Sequence, residues 1–190
     1  MQGVHEQEQA AVPLMRVFLF GEVMLERRLS VAGQEPRYER VPAHAWQGRG
    51  PALLLLKVLL CRPRRRATKE EVVALIWSGA HLKNAGRACD AAASVLRNVL
   101  RTANGESLLL TGHSGKLPWY RLADQRDLWV DADASDACVD QAIQAEGRGN
   151  MQEALHLVTR AEHLLFQAEG RPLSARIRAV AEQLRRKGMD

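Results

Sequence analysis

Three segments with helical character follow one another between residues 50 and 101, and local signals mark where they begin and end. Pro51 suits the first turn of a helix, where its missing N–H costs no hydrogen bond. Pro63 ends this nearly all-aliphatic segment, which predicts a helix buried at the centre of a domain. Thr68 and Glu71 have the spacing of a capping box and predict the start of the second helix. Short helices joined by tight turns restrict the chain to a small helical core.

Strand-like segments flank the three helices. After the third helix, predicted over 84–102, Asn104–Gly105 is a strong turn signal for a hairpin. The predicted strands are 15–20, 22–30 and 37–41 before the helices, and 107–111 and 119–122, joined by a tip at 112–115, after them. An N-terminal antiparallel sheet, three helices and a C-terminal β-hairpin wing follow the order of a winged helix-turn-helix, so the predicted class is α+β.

The third helix has two unlike faces. Helical spacing places Arg87, Asp90, Ser94, Arg97 and Arg101 on one stripe. The opposite side is apolar and comprises Ala88, Ala92, Val95, Leu96, Val99 and Leu100. A helix that enters the major groove of DNA needs polar groups for base edges and arginines for phosphate or guanine. An ordinary amphipathic surface helix with solvated arginines would have the same pattern, so on this helix alone both interpretations stay open.

The polar stripe has small residues beside it and one acidic residue within it. Ala91 and Ala93 flank it, and their size would let the helix approach base edges closely. Asp90 could accept a hydrogen bond from a cytosine amino group, or it could pair with Arg87 or Arg97. We favour pairing, because an unpaired acid would weaken the attraction to phosphate.

Positive charge is concentrated in the helical segment. From Arg40 to Arg101 there are twelve Lys/Arg and three Asp/Glu, a net charge of +9, whereas residues 132–190 carry eight and nine. Each DNA phosphate that a protein neutralises releases condensed counterions, so a polyanion is the natural partner of such a segment.

Further basic residues lie close to the helices. Four arginines surround Pro63 just before the second helix: Arg62, Arg64, Arg65 and Arg66. With Thr68 and the N–H groups of that helix, they are candidates for phosphate contact, and a solubilising charge run is the alternative. Lys116 at the hairpin tip and Arg121 on its return strand are candidates for phosphate or minor-groove contact, although Lys116 could equally be a solvated loop lysine.

Several motifs, in order, resemble one family. The segments are RATKEEVVALIW ending at Trp77, SVLRNVL with Leu96–Arg97, YRL at Tyr120–Leu122 and VDADA at Val130–Ala134. They resemble the DNA-binding domain of antibiotic regulatory protein (SARP-type) activators over roughly residues 15–170. The resemblance implies a winged helix like that of response regulators, followed by a bacterial transcriptional activator domain akin to tetratricopeptide repeats. The chain departs from the family by a KLPW insertion at Lys116–Trp119 and by a short segment after the junction.

The sequence divides into a flexible tail at 1–13, a winged helix-turn-helix DNA-binding domain at 14–130 and a partial activator, TPR-like helical domain at 131–190. Helix-like stretches of the last part are about 135–146, 151–168 and 173–187. A single helical hairpin is not expected to bury its apolar face alone. We therefore expect this face to pack on the winged domain, on a second copy or on another protein. Its residues are Leu155, Val158, Leu164 and Leu165.

Other functional classes have little support in the sequence. The histidines and cysteines have no metal-ligand spacing, and there is no catalytic constellation or phosphate-binding glycine loop. We therefore expect no enzyme activity, no metal and no cofactor. Three widely spaced cysteines suit reduced thiols in the cytoplasm. No apolar run approaches the length of a membrane span, and the N-terminus has no signal pattern.

These patterns together predict a sequence-specific transcription regulator that binds double-stranded DNA with helix 84–102 in the major groove. We expect the regulator to be an activator. Its expected partners are RNA polymerase and a second copy of the chain bound on direct repeats. The alternative is an adaptor whose winged helix binds protein and whose helical tail recruits a partner.

Overall fold

The structure is a computed structural model that describes residues 12–20, 22–29, 35–46, 50–78 and 82–166. Within these residues the strands are β1 Met15–Phe18, β2 Met24–Leu29, β3 Arg37–Arg40, β4 Arg66–Thr68, β5 Leu109–Ser114, β6 Leu117–Leu122 and β7 Leu128–Val130. The helices are α1 Gly50–Leu60, α2 Lys69–Ile76, α3 Leu82–Val99, α4 Asp131–Gly147 and α5 Met151–Phe166. One sheet has the order β3-β2-β1-β7, and the other has the order β4-β6-β5. The predicted α+β class is confirmed.

The sequence located the longer elements and missed the two shortest strands. β1, β2, β3 and the hairpin strands β5 and β6 fall where strands are predicted, with somewhat different ends. β4 and β7 are not predicted, because three residues are too few to show an alternating pattern. The helix predicted at 173–187 and nearly all of the tail predicted at 1–13 lie outside the described residues.

The chain forms two compact units. Among the described residues, one comprises 12–15 and 27–128, and the other comprises 16–26 and 129–166. The sequence assigned 14–130 to one domain, whereas the structure groups Arg16–Glu26 with the segment that begins at Trp129.

In the first unit, α1 packs against both α2 and α3. Leu55, Leu56 and Leu59 of α1 are fully buried, as is Leu96 of α3. Each such leucine contributes on the order of 2 kcal/mol of transfer free energy. The helix predicted to lie buried at the centre of a domain is buried at these positions, whereas Leu54 is 47% exposed. Strands β4 and β6 also contact α1.

The predicted capping box at the start of α2 is confirmed. The N–H of Glu71 donates to Thr68 Oγ1 at 3.3 Å, and the N–H of Thr68 donates to Glu71 Oε2 at 2.7 Å. The second of these bonds stabilises the carboxylate and lowers the pKa of Glu71. The box fixes the position at which the chain leaves β4 and enters α2.

β5 and β6 form a regular antiparallel hairpin that is longer than predicted. Its register runs from Leu109 opposite Leu122 to Ser114 opposite Leu117. The turn contains only Gly115 and Lys116, and a positive φ of 62° at Gly115 is typical of a type II′ turn. The segment expected to be an insertion, Lys116–Trp119, therefore supplies the second turn residue and the first half of β6. The tip predicted at 112–115 is wrong in extent: Gly112, His113 and Ser114 pair across the hairpin, and only Gly115 of this range lies in the turn.

In the second unit, α4 and α5 pack against each other along small residues. Ala142, Ala145 and Ala154 are fully buried together with the larger Leu157 and Val158. Alanines let two helices approach closely, so the pair buries apolar surface without outside help. The expectation that Val158 belongs to an uncovered apolar face is wrong, since it is 3% exposed within this core. Of the other residues of that face, Leu155 and Leu164 are partly buried, and the side chain of Leu165 lies outside the description.

Asp131 ties β1 to the start of α4 inside the second unit. Its carboxylate accepts hydrogen bonds from the N–H groups of Leu19 at 2.9 Å and Phe20 at 3.1 Å, and from Ala132 at 2.8 Å. Burial raises the pKa of Asp131 above the usual aspartate value, and these N–H groups oppose the rise. Phe20 packs against Cys138, Val139 and Ala161, so the carboxylate orients a segment that completes this core.

Replacing Asp131 by alanine is expected to destabilise the protein by about 2–3 kcal/mol, because buried N–H groups lose their acceptor. Gln141→Ala removes an exposed polar side chain from the same helix and serves as the control, with a change of at most about 0.5 kcal/mol. Urea unfolding monitored by circular dichroism measures both variants. Equal, small losses would mean that water satisfies the N–H groups of Leu19 and Phe20.

Candidate nucleic-acid interface

One side of α3 is exposed along much of its length. Arg87, Asp90, Ala91 and Ser94 are exposed, as the helical spacing predicts. The residues that face the core are buried: Ala85, Cys89, Ala92, Ala93, Leu96 and Val99. Ala93 is only 2% exposed, so the expectation that it flanks the polar stripe is wrong. It lies instead on the side of the helix that approaches the hairpin.

The two arginines placed at the end of the stripe have different environments. Arg97 is on α3 and partly buried, whereas Arg101 lies beyond Val99, where the helix ends. Arg101 forms an isolated β-bridge with Ser107, which shows that the backbone has left the helix there. The prediction that Arg101 continues the stripe on α3 is therefore wrong, because the helix is shorter than 84–102 at this end.

Asp90 is paired, but not with either predicted arginine. Lys69 Nζ lies 2.7 Å and 2.8 Å from the two carboxylate oxygens of Asp90. Lys69 begins α2, and its aliphatic chain crosses near Gly86, where a Cβ would lie 3.8 Å from Lys69 Cε. The expected pairing is confirmed and the expected partner is wrong. A lysine twenty-one residues away reaches the carboxylate because α2 packs on α3.

The same carboxylate is linked to the buried side of the hairpin. The Tyr120 hydroxyl donates to Asp90 Oδ1 at 3.3 Å, and the Cys89 thiol donates to the Tyr120 oxygen at 3.7 Å. Burial raises the pKa of Tyr120 and also that of Cys89, so both stay protonated. Side-chain interactions therefore connect α2, α3 and β6. They are the ion pair between Lys69 and Asp90 and two hydrogen bonds, whose donors are the neutral Tyr120 hydroxyl and Cys89 thiol.

A groove of about 300 Å³ runs between α3 and the hairpin. Asp90, Ala93 and Arg97 line it from α3, and Thr111, His113 and Trp119 are among the residues that line it from the hairpin. Of the charged lining residues, Asp90 is paired with Lys69, whereas Arg97 offers a cation that forms no ion pair among the described residues. Such a groove can accept an anionic group between the helix and the hairpin.

Two arginines of the basic turn before α2 have different roles. Arg64 is exposed, whereas Arg65 is partly buried and its Nη1 donates to the carbonyl of Leu128 at 3.1 Å. Burial lowers the pKa of Arg65, and the nearby carboxylate of Asp124 opposes this. Both backbones adopt positive φ, 55° at Arg64 and 51° at Arg65, which costs on the order of 1 kcal/mol for a side-chain-bearing residue. Arg65 thus holds the turn in place, and Arg64 presents its guanidinium to solvent.

The start of α2 is less suited to phosphate than expected. Thr68 Oγ1 accepts the N–H of Glu71, and the Thr68 N–H is taken up by the Glu71 carboxylate. Glu70 and Glu71 place two carboxylates in the first turn, which repel an anion. Thr68 is therefore a capping residue in this structure.

Arg66 and Arg121 are side by side on the hairpin sheet. They are directly opposite each other across β4 and β6. The Arg66 guanidinium lies 4.5 Å from the ring centroid of Trp119, and Arg121 Nε is buried without a hydrogen-bond partner. Adjacent residues of a strand point to opposite faces, so both arginines are on the face away from Tyr120 and the α3 core. Lys116 is exposed at the hairpin turn, where the sequence places it.

Lys69 and His113 are the residues that sequence reasoning missed. Lys69 neutralises Asp90, and His113 faces the groove from β5. The alternation of β5 would have placed His113 on the same face as the buried Leu109, had the strand been extended to Ser114. No local signal points to Lys69, since its role arises from packing between helices.

No protein-family model matches this sequence, and no curated protein matches it. Among residues 12–166, as far as they are described, no helix is long and apolar enough to cross a membrane. The same residues contain no group of three or more His, Cys, Asp or Glu that could hold a metal ion.

Gly112 makes room for the indole of Trp119, so Gly112→Ala is expected to destabilise the protein by about 1–3 kcal/mol. A Cβ at this position would lie 2.7 Å from Trp119 Cε2 and closer still to Cζ2. Thermal unfolding gives the loss, and Gly50→Ala, where a Cβ meets nothing within 4 Å, is the control.

The double variant Gly112→Ala, Trp119→Leu separates the clash from a loss of backbone freedom. If the clash is the cause, the double variant loses less stability than the two single variants together. Additive losses would instead place the cost in the backbone of β5.

Proposed function

We propose that this chain is a sequence-specific regulator of transcription that binds double-stranded DNA through a winged helix-turn-helix. In this proposal α2 and α3 are the helix-turn-helix, α3 enters the major groove, and the β5–β6 hairpin is the wing. The order of elements and the packing of α1 on α2 and α3 support it.

The exposed face of α3 is the observation that carries the proposal. It combines a small residue, Ala91, with a hydroxyl at Ser94 and a guanidinium at Arg87. This is the set of side chains that reading base edges at close range requires. Its one carboxylate, Asp90, is compensated by Lys69, so the acid does not cancel the attraction to phosphate.

The cations around this face suit contact with the DNA backbone. Arg97 lies in the groove between α3 and the hairpin, Arg64 is exposed in the turn before α2, and Lys116 is exposed at the hairpin tip. Phosphate contacts of this kind fix the register of a protein on the duplex without reading sequence. We leave Arg65, Thr68 and Asp90 out of the interface because internal hydrogen bonds occupy them.

The motif resemblance to SARP-type activators supports an activating role, with RNA polymerase as a partner and a second copy on direct repeats. The association surface cannot include Val158, which the α4–α5 core already buries.

Selection of bound fragments from random double-stranded DNA, followed by sequencing, tests whether the protein binds DNA sequence-specifically. A recurring motif is expected. Retention of no DNA at low salt would favour the adaptor function instead.

Arg97→Ala is expected to weaken binding to all DNA sequences, because the groove position of Arg97 suits a phosphate. In a plot of log affinity against log salt concentration, the slope should become shallower by about one unit. Fluorescence anisotropy over a salt series measures this. Arg126→Ala removes an exposed arginine outside the groove and should leave the slope unchanged. Lost sequence preference with an unchanged slope would mean that Arg97 reads bases.

Arg87→Ala should cost about 1–3 kcal/mol on the selected motif and little on random DNA, because Arg87 is exposed on the face of α3 proposed to meet base edges. Competition binding with matched specific and random duplexes provides the comparison. Arg97→Ala measured in the same assay is the internal reference, since its loss should be similar on both. Equal losses for Arg87→Ala would place this arginine on the backbone.

A further inference from the structure

One face of the three-stranded hairpin sheet includes several exposed side chains. Cross-strand partners share a face, and Arg66 opposes Arg121, while Leu110 also opposes Arg121. Trp119 lies two residues before Arg121 and therefore points the same way, as does Leu117. We call Arg66, Leu110, Leu117, Trp119 and Arg121 the outer hairpin face. Ala67 and Tyr120, on the opposite side of the sheet, are buried against the helices.

The outer hairpin face holds two like charges without a counter-charge. Arg66 and Arg121 are directly opposite across the strands, an arrangement that is unfavourable when both are cations. Neither forms an ion pair among the described residues, and the face defined above contains no carboxylate. Arg66 stacks on Trp119 instead, and Arg121 leaves Nε buried and unpaired. A carboxylate placed between the two guanidiniums would relieve the repulsion by pairing with both cations.

The same face also exposes apolar surface. Leu117 is 49% exposed and Leu110 is 36% exposed, on either side of the Trp119 ring. Phosphate gains nothing from contact with leucine, whereas an apolar side chain of a partner protein buries against it. Arginine and tryptophan are also the residues most often found at the energetic centres of protein interfaces. The composition therefore favours a protein partner over a nucleic-acid backbone.

We infer that the outer hairpin face is a docking surface for an acidic, leucine- or phenylalanine-containing segment of a partner protein. The partner's carboxylates lie between Arg66 and Arg121, and its apolar side chains cover Leu110, Leu117 and the edge of Trp119. This surface is separate from the exposed stripe of α3, so the inference does not depend on DNA binding. If both hold, α3 and the groove beside it serve DNA, and the outer hairpin face serves protein.

A fluorescein-labelled peptide of Glu, Asp, Leu and Phe is a direct probe, with a control peptide in which Gln and Asn replace the acids. Titration into the full-length ¹⁵N-labelled protein should shift the Nε–Hε signal of Arg121 and the amide signals of Leu110 and Leu117. Arg66→Gln and Leu117→Glu alter exposed side chains, so folding is expected to survive, and each should weaken peptide binding at least about fivefold. Arg64→Gln, an exposed arginine off this face, is the matched control and should bind as the wild type does.

DNA binding measured on the same variants completes the test. Unchanged DNA affinity for Arg66→Gln together with weakened peptide binding supports the docking surface. The inference is overturned if the peptide does not bind the wild type at its solubility limit, or if the neutral peptide binds equally well. It is also overturned if Arg64→Gln weakens peptide binding as much as Arg66→Gln does, since the peptide would then imitate DNA. Loss of DNA affinity in Arg66→Gln would assign the face to nucleic acid.

Discussion

The ion pair between Lys69 and Asp90 is the interaction on which the arrangement of the exposed surface depends. Asp90 is the only carboxylate of α3, and it stands in the middle of the stripe that solvent reaches. With Lys69 on one side and the Tyr120 hydroxyl on the other, it holds α2, α3 and β6 together at one point. A surface pair alone contributes little to stability. Its importance is that it joins α2 to α3 and removes a negative charge from a surface that otherwise attracts anions, while the Tyr120 hydroxyl links the same carboxylate to the hairpin.

The sequence predicted what depends on neighbours in the chain and missed what depends on neighbours in space. The capping box of Thr68 and Glu71 and the exposed side of α3 follow from spacing alone, and both are confirmed. The partner of Asp90 could not be predicted, because helical spacing offers Arg87 and Arg97 and says nothing of a lysine on another helix. Arg65 failed as a candidate for the same reason, since its acceptor is the carbonyl of Leu128.

The hairpin illustrates a second limit of sequence reasoning. The segment Lys116–Trp119 looked like an insertion when compared with a family pattern, but its last three residues pair regularly with Gly112, His113 and Ser114. Gly112 explains how a tryptophan fits there, because the indole occupies the space that a side chain at residue 112 would need. A comparison of sequences shows only that one segment has more residues than another. It does not show that these residues extend a strand, which happens when the two strands of a hairpin stay paired in register.

Trp119 connects the two surfaces that the proposals assign to different partners. It supports the Arg66 guanidinium on the outer hairpin face, and it also belongs to the lining of the groove beside α3. The indole packs directly on the backbone of Gly112, where a Cβ would lie 2.7 Å from Trp119 Cε2. Occupation of the groove by a phosphate group and occupation of the outer face by a carboxylate would therefore act on the same side chain. By linkage, any effect of one ligand on the affinity of the other must be reciprocal and equal in free energy.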